Sequence, residues 1–195
     1  MLIFDRRVLC VHKGEKQCKV DKIEKERGLI MNGNISELIE NVVKNVLDLQ
    51  KIDNITLEIA KVLANVVEAK AKEIGVNAVV AVSNNAARPV LVECMDNSYI
   101  ASYDVALNKA YTVVALKMST KALKPLCQPN GPLYGIEHTH NGQIVIFGGG
   151  DPLEIDGKII GGLGVSGGSE EQDTLLSAYG AEVFKEIIKQ KGRTA

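Results

Sequence analysis

The sequence predicts an α+β domain: a largely antiparallel sheet of five strands flanked by helices. Three observations carry this. From residue 55 onward, segments of helical period and short apolar, strand-like segments follow in the order α, ββ, α, βββ, α. Successive strands are joined by links too short for a parallel crossover, so hairpins dominate. Asp156-Gly157, flanked by Ile155 and Lys158, is a strong two-residue hairpin signal, because both central residues of a type I′ turn need positive φ. The composition agrees. Of 195 residues 46% are hydrophobic and 24% charged, with no Trp and 4% aromatic, so the core is aliphatic and the chain is globular. The net charge of -1 offers no basic excess for nucleic acid, and no apolar run of 18 residues offers a membrane span. MLIFDRRV turns charged after four residues, unlike a secretory signal, so the expected location is the cytoplasm.

Residues 1–34 form a polar N-terminal extension with eight Lys and Arg against five acids. Met31 follows Lys25-Glu26-Arg27-Gly28, whose codons are purine-rich and fit a ribosome-binding sequence; Met31 is therefore an alternative start. Residues 35–52 read as an amphipathic helix with its linker. Ile35, Leu38, Ile39, Val42, Val43, Val46, Leu47 and Leu49 fall on one stripe over 35–49, opposite Glu37, Glu40, Asn41, Lys44, Asn45 and Asp48. Its stripe can pack at home, in a dimer, or on a different protein.

The domain proper is expected over 53–195. A helix over 55–74 presents Ile55, Ile59, Val62, Leu63, Val66 and Val67, with Asn54 or Thr56 as cap and Gly75 just past its end. Strands follow at 77–83 and 89–95 around an Asn84-Asn85 and Arg88-Pro89 turn. A helix occupies 102–118, and Pro125, Pro129, Gly131 and Pro132 mark a loop to about residue 141. QIVIFGGG, 143–150, reads as a third strand before the Asp156-Gly157 hairpin. Ser169-x-x-Gln172 is a capping box opening a last helix to Lys189.

Gly162-Leu-Gly164-Val-Ser-Gly167 matches G-x-G-x-x-G, but no strand follows the last helix, so a dinucleotide fold is not expected. Two roles remain open. The glycines can let helix and sheet approach closely, or backbone N–H groups at 166–170, including those of Ser166 and Gly167, can hold a carboxylate or propionate. The four cysteines form no disulfide framework, and Cys10-x7-Cys18 lacks zinc spacing. Cys94, at a strand end, is expected to be buried and inert; Cys127, in the Pro/Gly loop, is the candidate reactive thiol. No metal site and no catalytic triad or P-loop is expected.

Several motifs in order carry a resemblance: Asp104-x4-Lys109-Ala110-Tyr111-Thr112, Gly131-Pro132-Leu133-Tyr134-Gly135, Phe147-Gly148-Gly149-Gly150-x-Pro152, and Gly161-x-x-Gly164-Val165-Ser166-Gly167-Gly168-x4-Asp173. From about Asp53 to Lys189 the chain resembles the heme-binding/GlcG-type (HbpS-like) family, which also supplies the C-terminal domain of PduO-type proteins. The resemblance implies a profilin- or PAS-like α/β sandwich, homo-oligomers from dimer to octamer, and binding of a tetrapyrrole, heme or cobalamin. The adenosyltransferase domain of PduO-type proteins has no counterpart in this sequence, so that activity is not carried over. Glu-Leu-Ile-Glu-x-Val-Val-x-x-Val-Leu in 35–49 resembles the encapsulation peptides of bacterial microcompartment cargo, which implies shell or cargo proteins as partners and a compartment lumen as an alternative location.

By the same resemblance Thr112 is the candidate iron-proximal oxygen and Lys109, three residues away on one helix face, a propionate or structural partner. His138 and His140 are alternate residues on a loop beside Tyr134, so both rings can face one ligand near the Phe147 strand; solvent-exposed loop histidines are the alternative. Where family members supply an axial His from the helix before the first strand, the matching helix 55–74 has none. The expected slot for the macrocycle lies between the 102–118 helix and the 131–147 segment. Beside ligand binding stand two alternatives, a small redox or heme-degrading enzyme and an assembly module without ligand.

Overall fold

The structure, a computed structural model, describes residues 53–192. The expectations for the extension 1–34 and for the docking helix at 35–49 lie outside the described residues. Helix α1 spans Leu57–Glu73, and Thr56 caps it by accepting the Ile59 N–H at 3.3 Å. All six residues of its predicted stripe are buried. Strands β1, Val79–Asn84, and β2, Pro89–Cys94, form a hairpin. Helix α2 is Ser102–Leu116, the short helix α3 is Thr120–Leu123, and 3₁₀ turns carry the chain on to Gly142. Strands β3, Gly150–Ile155, and β4, Lys158–Ser166, precede the last helix, α4, Glu170–Gly192.

The sheet has order β2-β1-β4-β3 and every pair is antiparallel. Asp156 and Gly157 turn the β3–β4 hairpin with φ of 50° and 74°, as their sequence requires. The capping box forms in both directions: Ser169 N–H donates to Gln172 Oε1 at 2.9 Å, and Gln172 N–H to Ser169 Oγ at 3.3 Å.

Four strands are present rather than five, because 143–149 is not a strand. Side chains from elsewhere take the backbone donors that a ladder needs. Val145 N–H donates to Thr112 Oγ1 at 2.9 Å and Gly148 N–H to Glu170 Oε1 at 2.9 Å. The chain then swings through Gly149, φ 111°, and joins the sheet at Gly150. Pro152, which has no N–H to give, sits on this edge strand.

Helices α1 and α4 cover one face. There Ile59, Leu63 and Val67 of α1 meet Val80, Val82, Leu163 and Val165 of the sheet and Leu176 and Phe184 of α4. Each such side chain, fully buried, contributes about 1.5–3 kcal/mol. Helix α2 covers the other face through Ala106 and Ala110, packed on Val79 and Ala81. At that contact the glycines do let helix and sheet approach closely. A Cβ on Gly164 would lie 2.1 Å from the Ala106 carbonyl oxygen, so a side chain there would force the helix off the sheet. A second small core, Leu123, Cys127 and Ile144 with Tyr111, Leu133 and Ile136 against it, fastens the loop after α2 to the C-terminal half of that helix. Among the described residues no helix is long and apolar enough to cross a membrane.

Candidate functional site

Two of the predicted ligand contacts, Lys109 and Thr112, are wholly buried. The Lys109 ammonium donates to Asp173 Oδ2 and to the Val165 carbonyl, both at 2.8 Å, and lies 4.9 Å from the centre of the Phe147 ring. Asp173, in the first turn of α4, accepts the Gly168 N–H on its other oxygen at 2.9 Å. A Cβ at Gly149 would lie 2.6 Å from the Lys109 nitrogen, so the glycine makes room for the amine. Burial pulls the Lys109 pKa below its ordinary value, and the Asp173 carboxylate opposes the shift. Lys109 therefore joins α2, β4 and α4 as a structural partner, a latch formed by its bonds to Val165 and Asp173. Thr112 is equally committed: its hydroxyl lies 2.7 Å from the Asn108 carbonyl and accepts the Val145 N–H. Ser166 is buried 3.4 Å from the Ser102 hydroxyl, and Gly167 abuts the Asn77 carbonyl. The Gly168 and Ser169 N–H groups donate to Asp173 and Gln172, so the start of α4 spends these two donors on its own side chains.

The other predicted contacts are exposed. Tyr134, His138, His140 and Phe147 all reach solvent. His138 is 85% exposed, with Glu137 3.9 Å away. His140 is held differently. Its backbone, with Asn141 and Gly142, adopts three successive left-handed conformations, φ 50°, 56° and 76°. Each non-glycine residue there costs about 1–2 kcal/mol. Gly142 N–H to the Thr139 carbonyl at 2.9 Å and Gln143 N–H to the His140 carbonyl at 3.1 Å close the turn. The His140 ring rests against Tyr111, centroids 6.4 Å apart and planes tilted by 57°.

Beside Tyr111 runs a groove of about 560 Å³ along the outer side of α2. Leu107, Tyr111 and Val114 form its apolar wall, Gln143 closes one side, and the β1–β2 turn with exposed Arg88 forms the other. Its volume lies within the range of small-molecule sites; Leu107, Tyr111 and Val114 give it an apolar strip, while Ser83, Asn85, Asn108, Gln143 and Arg88 make the larger part of its lining polar. The expected slot also lay against α2; the β1–β2 turn, which forms the other side of this groove, was not part of it. Arg88 stands in a turn with no motif around it, and only the pairing of Ser83 with Pro89 brings it opposite α2.

Two thiol expectations are reversed. Cys94 is exposed, because β2 is an edge strand with no neighbour beyond it. Cys127 is buried against Leu123 and Ile144, and burial, with the charge of Glu137, pushes its thiol pKa up, away from reactivity. Among the described residues no cluster of three His, Cys, Asp or Glu side chains could hold a metal ion.

Comparison with known proteins places these features. The family model described as "Haem degrading protein HbpS-like" matches residues 55–182. An uncharacterized 15.0 kDa protein of the dhaT–dhaS intergenic region of Citrobacter freundii is 44% identical over 138 residues, 71% of this chain and 97% of that protein. The corrinoid adenosyltransferase PduO of Salmonella typhimurium is 40% identical over 104 residues, which are 53% of this chain but 31% of that enzyme. The crystal structure of a PduOC:heme complex superposes with a TM-score of 0.64 at 33% identity, over 67% of this chain and 94% of that one. The match over residues 55–182, with 44% identity to a relative covered over 97% of its length, shows that the chain belongs to the HbpS-like family.

Proposed function

We propose that this protein binds a tetrapyrrole, heme in the first place, in the groove beside α2, with Arg88 opposite a propionate and His140 as the candidate axial group. The observation that carries the reading is the groove itself, where Leu107, Tyr111 and Val114 face Arg88; His140 is not part of its lining but packs on Tyr111 from outside, with ring centroids 6.4 Å apart. The donor chemistry fits, since imidazole suits iron and a guanidinium suits a carboxylate. Bound heme would supply a redox-active iron. The heme complex of a relative supports this reading, and the PduO likeness supports cobalamin as the comparison ligand.

Two further elements complete the proposal. The protein works as a homo-oligomer, which the solvent-exposed Tyr99, Ile100 and Tyr103 at the start of α2 support, because an apolar patch of this kind favours burial by a partner. It is a cytoplasmic protein of a bacterial microcompartment, with residues 35–49 as docking helix for shell or cargo proteins. The encapsulation-peptide pattern in those residues supports this.

Spectral titration of the full chain with hemin and hydroxocobalamin tests the core of the reading. A Soret shift that saturates at one hemin per chain is expected. His140→Ala should abolish or displace it and His138→Ala should leave it unchanged. Smooth partition without saturation, or an unchanged spectrum in His140→Ala, defeats the proposed site. Removal of residues 35–49 is expected to leave hemin binding intact and to end co-purification with shell proteins; persistence of that association removes the docking helix from the proposal.

A further inference from the structure

The Thr139 hydroxyl faces two groups but has one hydrogen to give. Its Oγ1 lies 2.6 Å from the Ile136 carbonyl oxygen and 2.9 Å from His140 Nδ1. A carbonyl oxygen has no proton, and two oxygens 2.6 Å apart are held by a hydrogen between them. The hydroxyl hydrogen is therefore directed to Ile136. What Thr139 turns toward His140 is a lone pair, so Nδ1 must be the donor. A neutral imidazole carries a single N–H. With that hydrogen on Nδ1, Nε2 is bare.

We infer that Thr139 is a positioning residue: it fixes His140 in the Nδ1–H tautomer and leaves Nε2 as an unprotonated donor for a transition-metal centre. For the ligand, the iron of a tetrapyrrole, the inference rests on the function proposed above; for the tautomer it stands alone. The left-handed turn and the Tyr111 ring hold the imidazole so that the hydroxyl can reach it. His138, two residues earlier, has no hydroxyl partner and faces only Glu137. Imidazoles that ligate metals commonly give their second N–H to a neighbour in this way, which fixes ring orientation and raises donor strength.

The test uses the full chain labelled with ¹⁵N-histidine, without heme, at about pH 8.5, two units above the usual imidazole pKa. Long-range ¹H–¹⁵N correlations report which nitrogen is protonated, and His140→Gln assigns the signals. His140 is expected with Nδ1 protonated and Nε2 bare. Thr139→Val should return it to the Nε2–H-dominated mixture of a free imidazole, and Thr139→Ser, which keeps the hydroxyl, should behave as wild type. Thr139 is exposed, and the backbone amide spectrum verifies that the variants fold. Nε2–H in the wild type, or an unchanged tautomer in Thr139→Val, overturns the inference. Hemin titration separates the two layers of the proposal. Thr139→Val is expected to weaken binding about 10–100-fold, and equal affinity overturns the role of Thr139 toward iron. A wild type that never saturates with hemin removes the tetrapyrrole reading, and the tautomer assignment is still decided by the spectrum.

Discussion

Around Lys109 and around His140 the chain uses polar side chains in opposite ways. Lys109 is sealed from water, and the groups within reach of its amine are fixed: a carboxylate, a carbonyl and an aromatic face. His140 stands in solvent on a turn that its own backbone strains, with one ring nitrogen tied and the other free of partners among the described residues. Of the residues in the motifs that carry the resemblance, Lys109, Gly148-Gly149-Gly150, Gly164 and Asp173 belong to the first region. They hold three layers together. The second region is shaped by Tyr111, which stands in one of those motifs, and by Arg88 and Thr139, which do not. Likeness in the motifs therefore bears on the sandwich and on one wall of the groove, and not on the side that Arg88 and Thr139 shape.

The contrast can be broken at its strong side first. Lys109→Ala leaves Asp173 as a buried charge without its cation, and should cost about 3–5 kcal/mol, read as a lower urea midpoint. A loss under about 1 kcal/mol would make the latch no more important than a surface bridge. The weak side should answer differently. Asn141→Gly removes a left-handed strain without touching a core contact, so stability should be unchanged or rise by up to about 1 kcal/mol. A marked loss would mean that the turn is part of the fold's foundation.

The smallest effect lies at the rim of the latch, where Glu170 joins Lys124 to the Gly148 N–H. The Lys124 ammonium first, and then that N–H, hold its carboxyl below the usual 4.5. A lowered carboxylate stabilises fully above its unfolded-state pKa, and the contribution fades as pH falls through the folded-state value. Wild type should therefore exceed Glu170→Gln by less than about 1 kcal/mol at neutral pH, the pair being partly solvated. The two melting curves should converge in acid; a gap that widens there contradicts the assignment.

Much of this architecture was legible in the residues. The α1 stripe, the Asp156-Gly157 turn and the Ser169–Gln172 box are local patterns whose physics is complete within a few residues. The third strand failed because Ile144-Val145-Ile146-Phe147 is a short apolar run of strand-like composition, while the side chains that capture its backbone donors, Thr112 and Glu170, are distant in sequence. The cysteines were misplaced for a related reason: strand order decides that Cys94 lies at an edge, and the packing of the loop on α2 decides that Cys127 does not. At the site, spacing put Lys109 and Thr112 on one helix face, but nothing nearby in sequence revealed that Asp173 and Val145 already occupied them.

The seclusion of the Lys109 amine has a use. Every other described lysine with an assigned exposure reaches solvent and will acylate readily, whereas Lys109 can meet a reagent only when helix, sheet and opposite helix part company. Its labelling half-life under a mild amine-directed reagent is thus a built-in clock for whole-domain breathing.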